Sequence, residues 1–239
     1  MQAVARLWKS DVPEGRDRLQ WVLLGATLVV GLAALYLAFV YAPKEATMGH
    51  VQRIFYFHVG AAWTAFFAFF VVFLGGAAYL RTQDRRWDAL ALSSAEIGVV
   101  FTTIALATGS IWAKPAWGAW WTWDPRLTTT TVLWLIYVSY LILRSTIDEP
   151  GQRARFAAVV GIVGFVDVPI VFMSIRLWRT IHPVLVNSGG FDMEPEMVYA
   201  LLAALLACTL LYAYLLLVRT SLERRRLEVE AAKRALGFY

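Results

Sequence analysis

Five tryptophans fall between residues 112 and 123: Trp112, Trp117, Trp120, Trp121 and Trp123, in the run IWAKPAWGAWWTWDPRLT. Indole rings favour the level of lipid headgroups, but a belt serving that purpose spreads its aromatics over many helix ends. So many large flat faces beside Gly118 suggest a platform for a planar, apolar ligand lying at a membrane interface. Asp124 and Pro125 come next, residue types that suit the N-cap and first residue of a helix. Arg126 then places a fixed cation at the edge of the platform, suited to a ligand carboxylate. A snorkelling interfacial arginine is the competing reading. Arg53, just before another apolar run on the same side, is the second cation that could hold a carboxylate.

The chain has three histidines: His50, His58 in RIFYFHVGAAW, and His182 in WRTIHPVL. Two imidazoles near the membrane surface, flanking a tryptophan-rich loop, suit the axial ligands of an iron held in a flat macrocycle. Zinc is the rival, but a closed zinc site takes four N or S ligands, and cysteine is missing from this side. His50 lies in a polar loop and reads as solvent-facing. The single cysteine, Cys208, allows no internal disulfide and no CxxC pair. In its apolar run it reads as small core filler.

The elements that position these residues follow from composition. Of 239 residues, 59% are apolar and 16% charged, against about 25% charged in an ordinary soluble domain. One soluble core cannot hide that much apolar surface, and the aromatics exclude a disordered chain. Apolar segments at 21–41, 54–80, 89–113, 127–143, 156–175 and 197–218 carry at most one charge each. Each is close to the ~17–25 residues a helix needs to cross a bilayer; barrel strands would be about half as long and alternating. The expectation is an all-α integral membrane protein of six spans, a single polytopic domain over 1–239 with a tail at 219–239. The first apolar run exceeds a signal-peptide core and no convincing cleavage site follows it, so it reads as an uncleaved span.

Sixteen lysines and arginines lie on the side of the two termini and six on the other. The positive-inside rule puts both termini in the cytosol, so the net charge reports orientation and not nucleic acid. The tryptophan loop and all three histidines are then on the outer side. The tail reads helical, with apolar Leu222, Val229 and Leu236, and suits either the inner leaflet, a cytoplasmic partner or a solvated end. Glu96 and Asp167 are intramembrane acids, suspects for a proton path by default. No further ionisable groups continue such a path, and the favoured reading is helix glue, through a protonated carboxyl bonded to backbone freed near Pro169.

The run WGAWWTWDPRLT resembles the WWD motif of haem-handling proteins in cytochrome c assembly. The size, the six spans and the RIFYFHVGAAW and LWRTIHPVL segments resemble one branch, the CcmC family of the Ccm (System I) pathway, over nearly the whole chain. Synthase branches are larger, with extra intramembrane histidines for a second haem. One departure is Gly60, where the family usually has proline; only the local helix start should change. The resemblance implies a bacterial inner-membrane protein that holds haem b at the periplasmic face, between the WWD loop and His58 and His182. It implies delivery to the periplasmic haem chaperone CcmE, whose histidine becomes joined to a haem vinyl. It also implies assembly with the small membrane protein CcmD and the CcmA–CcmB ABC transporter. Such a protein is a delivery platform rather than an enzyme, although it could promote the covalent attachment. The alternatives are a bis-histidine electron-transfer subunit, a haem- or proton-coupled transporter using Glu96 and Asp167, and a haem lyase. The transporter reading lacks the expected broken helices and inverted repeat; the lyase reading lacks a second histidine pair.

Overall fold

The computed structural model describes residues 14–183, 186–187 and 189–237. Six helical segments are long and apolar enough to cross a membrane. Helix α1, Glu14–Tyr36, continues as a π-helical turn, Leu37–Tyr41. Helices α2, Arg53–Thr82, and α3, Arg85–Trp117, form the central hairpin. Helix α4 is Pro125–Thr146. The fifth span consists of α5, Pro150–Phe165, and α6, Asp167–Leu177. A two-residue ladder, β1 (Val186–Asn187) with β2 (Gly190–Phe191), precedes α7, Pro195–Ala235.

Local chemistry sets the ends. Asp84, Asp124 and Glu149 cap α3, α4 and α5 through side-chain oxygens that accept backbone N–H groups. Proline follows the cap of α4, α5 and α7, where its missing N–H costs no helical bond. Helix α3 ends at Gly118, whose φ of 78° reverses the chain in a conformation that costs glycine least. At 41 residues, α7 is about 60 Å long by its rise, roughly twice the hydrocarbon thickness. Its last turns therefore run on beyond the span as one helix with the expected tail.

Small residues let the helices approach. Ala61, Ala65 and Ala68 of α2 are buried, a stripe of the type that holds membrane helices together. Phe69 lies across Gly98 of α3 and stacks on Tyr137 of α4, with ring centres 3.6 Å apart. Gly60 has a packing role rather than an effect on the helix start. It lies at the start of the third turn of α2, and a Cβ there would stand 2.9 Å from Cys208 Sγ of α7.

The intramembrane charges differ from expectation in how they are satisfied. Glu96 is ion-paired with Arg219 of α7 at 2.6 Å, and Arg219 also meets Glu223 at 2.9 Å. This is helix glue by charge pairing, not by a protonated carboxyl. Asp88 and Arg144, both buried, form a two-pronged pair between α3 and α4 at 2.5 and 3.0 Å. The fifth span is interrupted at Val166, between α5 and α6, so a broken helix is present after all. Pro169 accounts for it: it cannot donate to Phe165 O. Asp167 Oδ2 is buried and has no hydrogen-bond partner among the described residues, so the expected bond to freed backbone is not made through that oxygen.

An even number of spans puts the start of α1 and the end of α7 on one side. Arg6 and Lys9, which contribute to the orientation count, lie outside the described residues. A periplasm-active reporter joined to the C-terminus should be silent and a cytosol-active one functional. The opposite pattern would overturn the orientation.

Candidate functional site

His58 is on the second turn of α2 and points at α3. Its Nδ1 lies 3.0 Å from Ala105 O and 3.2 Å from Thr108 Oγ1. With its proton on Nδ1, the ring donates to that carbonyl and leaves Nε2 free, the arrangement that orients a metal-binding histidine. Gly109 makes room for it: a Cβ there would come within 3.0 Å of His58 Cε1.

His182 comes from the segment after α6, and Asp124 holds that segment. Asp124 Oδ1 accepts from Arg126 N at 3.0 Å, which is the helix cap. Its Oδ2 accepts from Thr180 Oγ1 at 2.6 Å and from Ile181 N at 3.0 Å. His182 N in turn donates to Thr180 Oγ1 at 3.0 Å. One buried carboxylate thus fixes both the start of α4 and the segment bearing the second imidazole.

The two imidazole centres are 6.3 Å apart, with planes inclined by 38°. Trp112 lies 6.1 Å from His58, Trp117 lies 6.3 Å from His182, and the two indoles are 5.7 Å apart. All four rings line a cavity of about 690 Å³, joined by Trp121 and Arg126. Its remaining walls are largely apolar and run inward along α2, α3 and α7, through Ala62, Phe66, Leu106 and Leu205. The volume and the few polar groups are those of a small-molecule site.

The expected residues divide in two. His58, His182, Trp112, Trp117, Trp121 and Arg126 meet at the cavity, with Asp124 behind them. Trp112 lies within the expected span of α3 and is only 2% exposed, and Trp117 is also on that helix because it runs four residues past its expected end at 113. Trp120 and Trp123 are 58% and 76% exposed and do not line the cavity; Trp123 touches it only through Trp121, edge to face at 5.7 Å. Arg53 is also elsewhere, its guanidinium 5.9 Å above the Phe39 ring. Five residues along a helix from His58, it faces a different side. His50 begins a short 3₁₀ turn and is exposed. Gly109, Thr108 and Ala105 were not foreseen; the glycine inside an otherwise helical pattern was the one available signal.

Arg126 is partly engaged, with Nη2 donating to Phe172 O at 2.9 Å and Nε to Ser174 Oγ at 3.4 Å. These bonds leave Nη1 for another acceptor. Burial, then the nearby Arg126 and His58, lower the His182 pKa to about 4. The folded chain therefore keeps this imidazole neutral between about pH 6.5 and 4, where an unfolded chain would protonate it. Folding stability should fall as pH drops through that window, less so in His182→Gln, as thermal unfolding at a series of pH values will report.

Can these residues hold a flat metallated macrocycle? Metal–imidazole bonds of about 2.0–2.1 Å put the centres of two rings on one metal about 6 Å apart, matching the observed separation. Both rings lie among indole faces and beside a cation. Among the described residues no three His, Cys, Asp or Glu side chains converge as a zinc site would require.

Fold and site together define a multi-pass membrane protein with a ligand cavity framed by a histidine pair and tryptophans at one end of the bundle. The family model for heme exporter protein C, CcmC, matches residues 11–235. The chain belongs to the CcmC family. Heme exporter protein C of Bradyrhizobium diazoefficiens is 34% identical over 212 residues, covering 87% of this chain and 80% of the relative. That of Paracoccus denitrificans is 32% identical over 218 residues, covering 89% of each. A mitochondrial protein of Marchantia polymorpha, named as ccmC-like in cytochrome c biosynthesis, is 30% identical over 177 residues, covering 74% of this chain and 75% of that one.

Proposed function

We propose that this protein holds haem b at the periplasmic face of the bacterial inner membrane and hands it to the chaperone CcmE during c-type cytochrome assembly. CcmD and the CcmA–CcmB transporter are the proposed membrane partners. The observation that carries this reading is the histidine pair at 6.3 Å, in a tryptophan-walled cavity inside a CcmC-family chain. Haem would supply an iron that takes two imidazoles and a porphyrin edge open to a partner. His58 and His182 hold the iron through Nε2. Trp112, Trp117 and Trp121 cover apolar surface, and Arg126 holds a propionate. Two imidazoles leave no open position, which suits holding and transfer better than oxygen chemistry.

The transporter alternative is weaker, because Glu96 is spent on Arg219 and Asp167 is not among the cavity's lining residues. The haem content and absorption spectrum of purified protein, alone and after co-expression with the chaperone, test the reading. A six-coordinate haem that leaves for the chaperone supports it; haem that stays and cycles between oxidation states in place supports an electron-transfer subunit. Removing a charge-assisted bond costs about 1.5–3 kcal/mol, so Arg126→Ala should weaken haem retention by roughly 10- to 100-fold. Unchanged retention would remove Arg126 from the site, and Arg53→Ala, away from the cavity, should have little effect.

A further inference from the structure

A second cavity, of about 240 Å³, lies between the segment joining α1 to α2 and the segment joining α6 to α7, lined by residues that include Glu45, Gln52, Trp112, Pro183, Asp192 and Glu194. It shares Trp112 with the first cavity. Two of its polar groups are unsatisfied. Gln52 is 8% exposed and Trp112 2% exposed, and Gln52 Oε1 and Trp112 Nε1 are buried without a hydrogen-bond partner. Unmade bonds at buried polar atoms are unfavourable, so the pair calls for a guest that brings both a donor and an acceptor.

Charge narrows the guest further. Among the described lining residues three are acidic, and none is lysine or arginine. Glu45 is partly used, accepting from Thr47 N and Met48 N through Oε2; Asp192 and Glu194 are exposed. An anion would meet these carboxylates, and a bare cation offers no acceptor to an indole N–H. A peptide offers both backbone groups, and a basic one complements the acids.

We propose that this pocket receives an extended, lysine- or arginine-bearing segment of a protein partner on the outer face. A backbone carbonyl of the segment accepts from Trp112 Nε1, one of its N–H groups donates to Gln52 Oε1, and its basic side chain faces Asp192 and Glu194. Trp112 lies 6.1 Å from His58 and 5.7 Å from Trp117, so the same ring that contacts the segment walls the first cavity. That the segment belongs to the haem-accepting partner rests on the proposed function; the binding itself does not.

The full chain in phosphatidylcholine nanodiscs, free of haem, can be titrated with the peptide acetyl-Gly-Lys-Gly-Lys-Gly-amide and with its glutamate counterpart. The indole ¹⁵N–¹H resonance of Trp112, assigned by its loss in Trp112→Phe, is the readout. The lysine peptide should shift it saturably and the glutamate peptide should not. Gln52→Leu, and separately the exposed pair Asp192→Asn with Glu194→Gln, should weaken the response at least tenfold. The exposed pair guards against a folding defect in the buried variant. No saturable shift, or one unaffected by either set of substitutions, overturns the proposal and leaves the cavity to water. Haem binding measured on the same preparation separates the two readings. Peptide response without haem binding sinks the proposed function alone, and haem binding without peptide response sinks this proposal alone.

Discussion

Replacing either His58 or His182 by alanine is expected to abolish six-coordinate haem and to cut covalent haem on the chaperone by well over tenfold. Even outer partners of a metal-bound histidine change affinity by about 10- to 100-fold, so loss of a direct ligand should do more. The two variants should differ in a telling way. His58 donates to Ala105 O inside the bundle, so its removal opens space beside Gly109 as well as vacating a ligand position. His182 stands on a segment held by Asp124, so its removal leaves α2 and α3 unchanged. Exogenous imidazole should refill the vacated position in both and restore a six-coordinate spectrum, because the opposite ring and the tryptophan walls remain. His50→Ala is the control, being exposed on its 3₁₀ turn. A His58→Ala protein with an unchanged bis-histidine spectrum and normal loading would show that the central assignment is wrong.

The spans were legible because the bilayer imposes one solution on a long apolar run, a helix with its backbone bonds made internally. The cap at Asp124 was legible because Asp-Pro is a local signal needing no tertiary contact. Other features depend on which face of a helix meets which neighbour. Trp120 and Trp123 share a window with Trp121, yet only Trp121 turns inward. Their separation arises in the irregular segment after Gly118, where no period fixes side-chain direction. Arg53 was drawn to the site by its nearness to His58 in sequence, but five residues of helix carry it around to Phe39. The ion pairs of Asp88 with Arg144 and of Glu96 with Arg219 join residues 56 and 123 apart. Arg144 entered the orientation count as a loop charge and Arg219 as a tail charge, and nothing local in the sequence marks them as partners of Asp88 and Glu96.

Asp124 yields the other large expected effect, and two substitutions separate its roles. Asp124→Asn keeps one amide oxygen that can still accept from Arg126 N, so the cap on α4 survives. The amide nitrogen then faces Thr180 Oγ1 and Ile181 N, now bonded to Oδ2, and it cannot accept from either. Bonds to a charged group are worth about 1.5–3 kcal/mol each, so the segment carrying His182 should loosen while α4 stays formed. The expected spectrum is a mixture of six- and five-coordinate haem that added imidazole drives back to six. Asp124→Ala removes the cap as well, at a further cost of about 0.5–2 kcal/mol, and should lower thermal stability in addition to haem retention. Thr180→Val breaks one link, through Thr180 Oγ1 to His182 N, and should fall between wild type and Asp124→Asn. If Asp124→Asn gives a wild-type spectrum, Asp124 serves the helix alone, and the placement of His182 must come from the indole contact with Trp117 instead.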